Sequence, residues 1–235
     1  MSATVYLIPT VLHEGANQSL PAYLLDAVRA CAVFYVENER TARRFLKSLW
    51  KEMVIDDYGW HNMKELTPEL RSVFLQDLKE GKTVGVLSEA GCPGVADPGQ
   101  LLVHLAQQQG AVVRPLVGPS SILLALMASG MNGQQFRFSG YLPIEAGERQ
   151  KAIRALEADS RKNNCTEIFI ETPYRNNQLL EMLLKTCAPQ TLICVAVDLT
   201  GPAESVQTKT PAQWRASLPE LHKRPAIFLL YAGSN

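Results

Sequence analysis

The stretch TVGVLSEAGCPGVADPGQLLVHLAQQQGAVVRPLV, residues 83–117, decides the fold. TVGVLS (83–88) is a short, continuous apolar run and reads as a buried strand. A Gly/Pro-rich loop follows, then a helix from Gln100 to Gln109 that Gly110 ends. VVRPLV (112–117) is the next strand. Strand, helix and strand in this order make a parallel crossover unit.

Upstream, the same alternation repeats. VYLIP (5–9) reads as a buried strand, and Leu24, Leu25 and Val28 follow at helical spacing behind Pro21. VFYVE (33–37) is a second strand, Thr41 to Trp50 a basic amphipathic helix, and Met53 to Asp57 a candidate short strand. Thr67 then caps a helix with Pro68 at its first position and Leu70, Phe74 and Leu78 as its apolar stripe. A parallel sheet covered on both faces is expected, with ligands beyond the carboxyl ends of its strands. Downstream the pattern changes. Ser120–Ser129 reads as a helix, and FRFSGYL (136–142), TEIFIET (166–172), TLICVAVDL (191–199), SVQTKT (205–210) and AIFLLYA (226–232) as strands. Helices are expected at 149–159, 176–185 and 211–218. Thr200-Gly201-Pro202 suggests an antiparallel hairpin. The expected fold class is α/β in two domains: residues 1–117 with a mainly parallel sheet, and residues 118–235, α+β with a mixed sheet.

Composition excludes several classes. The 235 residues are 46% hydrophobic and 20% charged, which rules out intrinsic disorder. Twenty-three basic and 23 acidic side chains cancel, so bulk charge supplies no nucleic-acid affinity. No charged and apolar leader opens the chain and no apolar run is long enough to span a membrane, so a soluble cytoplasmic protein is expected. Five cysteines without CxxC spacing and four scattered histidines offer neither a disulfide framework nor a zinc site.

Four motifs could carry chemistry. SEAGCPGVADPGQ (88–100) is long for a strand-to-helix connection and suits backbone binding of a polar ligand. VGPSS (117–121) leaves helix N–H groups available, although simple capping explains it as well. VENER (36–40) offers Glu37 and Glu39 as proton acceptors, or as ion-pair partners of Arg40 or Arg43. ETPYR (171–175) ends a strand in Glu171 and presents the Tyr174 ring and the Arg175 fork, where a plain turn would account only for Thr172 and Pro173. There is no GxxxxGK[ST], GxGxxG or GxSxG. The residues alone do not name the ligand.

Taken in order, these motifs resemble the tetrapyrrole (corrin/porphyrin) methylase superfamily, in its ribosomal-RNA branch. SEAGCPGVADPG stands for the pattern S-D-A-G-x-P-G-x-x-D-P-G, VENER for E-D-T-R, VGPSS for P-G-P-S-A, FRFSGYLP (136–143) for F-x-F-x-G-F-L-P, and ETPYR for E-x-P-x-R. His61-Asn62 matches a His-Asn pair, and Arg149 an Arg beyond the FRFSGYLP motif. The resemblance spans nearly the whole chain. It implies a homodimeric S-adenosylmethionine-dependent methyltransferase, without a metal, whose cofactor lies in the cleft between two α/β domains. It further implies cofactor contacts from Pro9, Glu89, Ala90, Gly91 and Cys92, from Ser120 and Ser121, and from Thr172, Pro225 and Ala226. The first expectation is 2′-O-methylation of small-subunit ribosomal RNA. Glu37 and Glu171 are the candidate hydroxyl-orienting groups or bases, and Arg40, Tyr174 and Arg175 the substrate contacts. Two rivals are a methyltransferase of a small molecule such as a tetrapyrrole, and an inactive cofactor-binding interaction protein. The branch's R-E-L-T-K reads Val197-Asp198-Leu199-Thr200-Gly201 here, so two basic residues are gone.

Overall fold

The computed structural model describes residues 2–233, which form two compact units, residues 2–120 and 121–233. The first unit alternates strand and helix: β1 (Thr4–Leu7), α1 (Leu24–Ala30), β2 (Val33–Val36), α2 (Glu39–Leu49), β3 (Gly59–Asn62), α3 (Pro68–Lys79), β4 (Thr83–Leu87), α4 (Gly99–Gln108) and β5 (Val112–Pro115). Its five strands lie in the order β3-β2-β4-β1-β5, and every pairing is parallel.

Burial explains why these short runs become central strands. All four residues of β2 are buried because alternate side chains enter separate cores. Val33 and Tyr35 pack with Phe74, Leu78, Leu102 and Leu105. Phe34 and Val36 pack with Leu24, Val28, Leu46 and Leu87. Helix boundaries follow capping chemistry. Asn38 accepts from the Arg40 and Thr41 amides and starts α2, so that helix opens earlier than Thr41. Thr67 accepts from the Leu70 amide and starts α3 with Pro68 in its first turn.

One strand expectation fails. Residues 55–57 form a turn of 3₁₀ helix, and the strand lies further on, at Gly59–Asn62. Two consecutive acids, Asp56 and Asp57, favour the tight turn, while Trp60 finds its place by stacking on Phe34 at 5.0 Å.

The second unit contains α5 (Ser121–Ser129), β6 (Phe136–Tyr141), α6 (Ala146–Asn163), β7 (Thr166–Ile170), α7 (Asn176–Thr186), β8 (Leu192–Val197), β9 (Ser205–Lys209), α8 (Pro211–Ala216) and β10 (Ala226–Tyr231). Strand order is β6-β7-β10-β8-β9, with β6 and β7 parallel and the other pairings antiparallel. The expected β8–β9 hairpin is therefore present in a mixed sheet. Phe169, Leu180, Leu183, Val195, Trp214 and Phe228 are central to its core.

Gly85, midway along β4, is where the first sheet has least room. A Cβ there would stand 2.6 Å from Phe34 Cδ1 and 2.9 Å from Ile8 Cδ1. Gly85→Ala is expected to destabilise the protein by about 1–3 kcal/mol through overpacking, read from the midpoint of urea denaturation.

Candidate active site

Parallel pairing brings the carboxyl ends of the first unit's strands to one edge. There the loops that follow β1 and β4 are laced together. Thr10, buried, donates its amide to the Gly91 carbonyl at 2.9 Å and its hydroxyl to the Ser88 carbonyl at 3.3 Å. The segment after β5 closes on the same loops. Cys92 Sγ lies 3.6 Å from the Gly118 carbonyl and 3.5 Å from that of Pro119. A Cβ on Gly118 would fall 2.1 Å from Pro9 Cβ, so only glycine permits this approach.

The long loop after β4 is folded by its own acid. The Asp97 carboxylate accepts from the Gly94 amide at 2.9 Å and from the Gly99 amide at 2.7 Å. Burial pushes the Asp97 carboxyl up, against the lowering effect of those bonds. Two cavities flank the loop. One, of about 370 Å³, is lined by Leu7, Cys92, Pro93, Val95, Val103 and Leu116. The other, of about 400 Å³, touches Thr10, Leu12, Thr41, Phe45, Glu89 and Ala90.

Glu37 stands one residue beyond β2 at this edge. Its Oε1 accepts from the Glu89 amide at 2.9 Å, and Asn62 at the end of β3 donates to its carbonyl at 3.2 Å. The ion-pair alternative for Glu37 fails: Arg43 pairs with Glu39 at 2.7 Å, and Glu39 opens α2 rather than ending a strand. Burial raises the Glu37 carboxyl pKa, the Glu89 amide opposes this, and the charges of Asp97 and Glu89 add to the rise. A carboxylate held half-buried with a raised pKa is a competent proton acceptor. Arg40 is exposed in the first turn of α2, while the Glu37 carboxylate is turned to the Glu89 amide.

A second group of expected residues gathers in the other unit, because the end of β7 lies beside the start of β10. Glu171 is buried there. Its Oε1 accepts from Arg175 at 2.6 Å and from the Thr172 amide at 2.7 Å, and Arg149 stands 3.5 Å from Oε2. Burial alone would raise this carboxyl, but the bonds from Arg175 and Thr172 and the charges of Arg175 and Arg149 hold it below the usual range. This is an ion-paired carboxylate whose Oε1 is committed to Arg175 and Thr172, while its buried Oε2 has no hydrogen-bond partner among the described residues and only the Arg149 charge beside it. Arg175 is correspondingly turned inward to Glu171. Tyr174 is 66% exposed and meets His222 edge-on at 5.8 Å. The Pro225 carbonyl accepts from the Asp198 amide at 3.0 Å, and Ala226 opens β10 opposite Val197. Ser120 and Ser121 stand at the start of α5.

Sequence reasoning passed over Thr10, Asp97 and Gly118 as site builders. Asp97 carried a signal, since Asp-Pro-Gly before a helix suits an acid that folds its own turn. Thr10 carried none, because its partners are 78 and 81 residues away.

The family model described as Tetrapyrrole (Corrin/Porphyrin) Methylases matches residues 15–213. A Mesorhizobium japonicum protein named Ribosomal RNA small subunit methyltransferase I is 31% identical over 210 residues, covering 89% of this chain and 68% of that protein. A Micromonospora olivasterospora protein of the same name is 34% identical and covered over 74% of this chain, which spans about half, 52%, of its length. The Bacillus subtilis protein of that name is 28% identical over 98% of this chain and 75% of its own. Among solved structures, the methyltransferase CobJ superposes with a TM-score of 0.62 at 19% identity, over 98% of this chain and 93% of that one. Uroporphyrin-III-C-methyltransferase from Thermus thermophilus gives 0.56 at 18%, over 99% and 93%; both show the shared fold. Fold and family together define a methyltransferase that takes its methyl group from S-adenosylmethionine. The chain belongs to the tetrapyrrole (corrin/porphyrin) methylases.

Glu171→Gln tests the anchor. A carboxylate with a depressed pKa stabilises the fold above its unfolded value, about 4.3, and that stability is lost as pH falls through the folded value. The variant is expected to lose about 3 kcal/mol at neutral pH and to show less acid dependence of its denaturation midpoint than the parent.

Proposed function

We propose that this protein transfers a methyl group to a ribose 2′-hydroxyl of small-subunit ribosomal RNA, with Glu37 as the proton acceptor. The observation that carries the reading is the Glu37 carboxylate. It is tied to the Glu89 amide at 2.9 Å, on the loop that two cavities flank. Support for the acceptor class comes from relatives named Ribosomal RNA small subunit methyltransferase I, at 28–34% identity.

S-adenosylmethionine, when bound, supplies a methyl group activated by its sulfonium. The residues fit such a group. Pro9 and Gly118 meet with no side chain between them, and the 370 Å³ cavity that Cys92 lines is of ligand size and largely apolar. In this reading Pro9, Glu89, Ala90, Gly91 and Cys92 hold the cofactor from the first unit. Ser120 belongs to the same unit, and Ser121, Thr172, Pro225 and Ala226 are the further contacts that the family resemblance implies. Arg40, Tyr174 and Arg175 remain candidate substrate contacts. Glu37 orients the ribose hydroxyl and takes its proton, and its tie to Glu89 keeps it in register with the cofactor loop. Glu171 positions Arg175 and the backbone of Thr172. The reading takes residues 1–117 and 118–235 as the two domains and a homodimer as the working form, which light scattering checks.

The test measures methyl transfer to small ribosomal subunits, with calorimetry of S-adenosylmethionine in parallel. The protein is expected to bind one cofactor per chain and to methylate the RNA. Binding without turnover on any RNA would make it an inactive binding protein. Glu37→Gln preserves an acceptor for the Glu89 amide, so it is expected to keep cofactor affinity while kcat falls about 10²-fold or more. The parent's rate should fall in acid at a pH above the ordinary glutamate range, because the Glu37 pKa is raised and only its ionised form accepts a proton. In the variant that acid limb should vanish.

A further inference from the structure

The basic character of α2 has no role in the site described so far. Four cations, Arg40, Arg43, Arg44 and Lys47, stand against one acid, Glu39, on this helix, in a chain whose net charge is zero. They are not equivalent. Arg43 is committed, paired with Glu39 at 2.7 Å and lying over the Trp60 ring at 4.9 Å, and the Lys47 ammonium donates to the Lys51 and Met53 carbonyls. Arg40, Arg44 and Lys47 follow at intervals of four and three, so they share one face, and Lys51 continues their direction just past the helix. Arg40, Arg44, Lys47 and Lys51 are all exposed. The only carboxylate near Arg44 among the described residues is Glu14 at 3.8 Å, with both side chains mostly in solvent, a contact worth little and readily exchanged.

Beside this stripe lies the 400 Å³ cavity. Thr41, Arg44, Phe45 and Ser48, again at helical spacing, form one of its walls. The opposite walls are the loop after β1 and residues 88–90, the start of the proposed cofactor loop. The cavity thus offers an aromatic face, several hydroxyls and the Arg44 guanidinium, with Glu14 and Glu89 as the acids of its lining, and the Glu89 amide holds Glu37. Aromatic faces stack bases without needing their identity, and cationic rims follow a phosphate backbone.

We propose that this cavity receives the acceptor nucleotide of a single-stranded RNA segment, with its base against Phe45 and the neighbouring phosphates on Arg40 and Arg44. The proposal rests on the ribosomal-RNA reading above and names the surface that reading lacks. Four of the chain's 23 basic side chains lie on this one helix, so a chain of zero net charge still presents a local cationic face to RNA.

Arg40→Gln/Arg44→Gln separates the two claims. Small ribosomal subunits serve as the probe, with S-adenosylmethionine titrated alongside. The double variant is expected to keep its melting temperature and cofactor affinity but to bind subunits about tenfold more weakly or worse. The slope of log affinity against log salt should shrink by about 1.4–1.8, the share of two phosphate contacts. Phe45→Leu should lower kcat/KM on RNA, and Phe45→Trp should restore it, whereas a purely structural role for Phe45 would favour neither ring. Methylation by the parent with unchanged affinity and salt slope in the double variant overturns the docking surface alone. Failure of the parent to bind or methylate subunits, while cofactor still binds, overturns the ribosomal-RNA reading and this surface with it.

Discussion

The all-parallel pairing of the first sheet is the constraint on which the site depends. Parallel strands need helix-length crossovers, and those crossovers return every carboxyl end to one edge. Residues as distant in sequence as Pro9, Glu37, Asn62, Glu89 and Gly118 therefore become neighbours through backbone topology. Side chains then fix the loops: Thr10 to Ser88 and Gly91, Asp97 to Gly94 and Gly99, Glu37 to Glu89. Thr10 and Glu37 tie neighbouring loops together and Asp97 folds its own loop, so the edge is rigid before any ligand arrives.

The unit architecture was legible because central parallel strands are apolar on both faces and their helices carry caps. VFYV and TVGVL admit no other use in a chain of this composition, and Thr67-Pro68 marks a helix start without ambiguity. The edge strand Gly59–Asn62 was not legible as a strand. It is four residues long, half-exposed and without a β-branched residue, so neither periodicity nor propensity marks it. At the site, the Gly/Pro-rich loop announced itself by its length. The surroundings of Glu171 did not, because Arg149 reaches it from a helix 22 residues upstream and buries it between two arginines.

The departures from the family pattern acquire physical meaning in the structure. Asn38 stands where the family has Asp, and it caps α2 through its carbonyl oxygen, a task Asp and Asn perform alike. In the β8–β9 connection, Asp198 pairs with Arg224 at 2.7 Å and Glu204 accepts from the Thr200 amide at 2.6 Å. Asp198 and Thr200 hold φ values of 49° and 67°, the second uncommon for a β-branched residue. The connection keeps a defined, strained shape without the basic residues the family places there. Four cations lie on α2, beside the cavity of the first unit.

The central claim is that the carboxyl edge of the first sheet holds the cofactor. Hydrogen exchange with and without S-adenosylhomocysteine, read by mass spectrometry on peptides covering the whole chain, tests it most directly. Slowed exchange is expected in peptides covering residues 8–11, 88–92 and 117–121, with the helices α3 and α4 unchanged. Protection confined to other segments, with those three unaffected at saturating ligand, would contradict it.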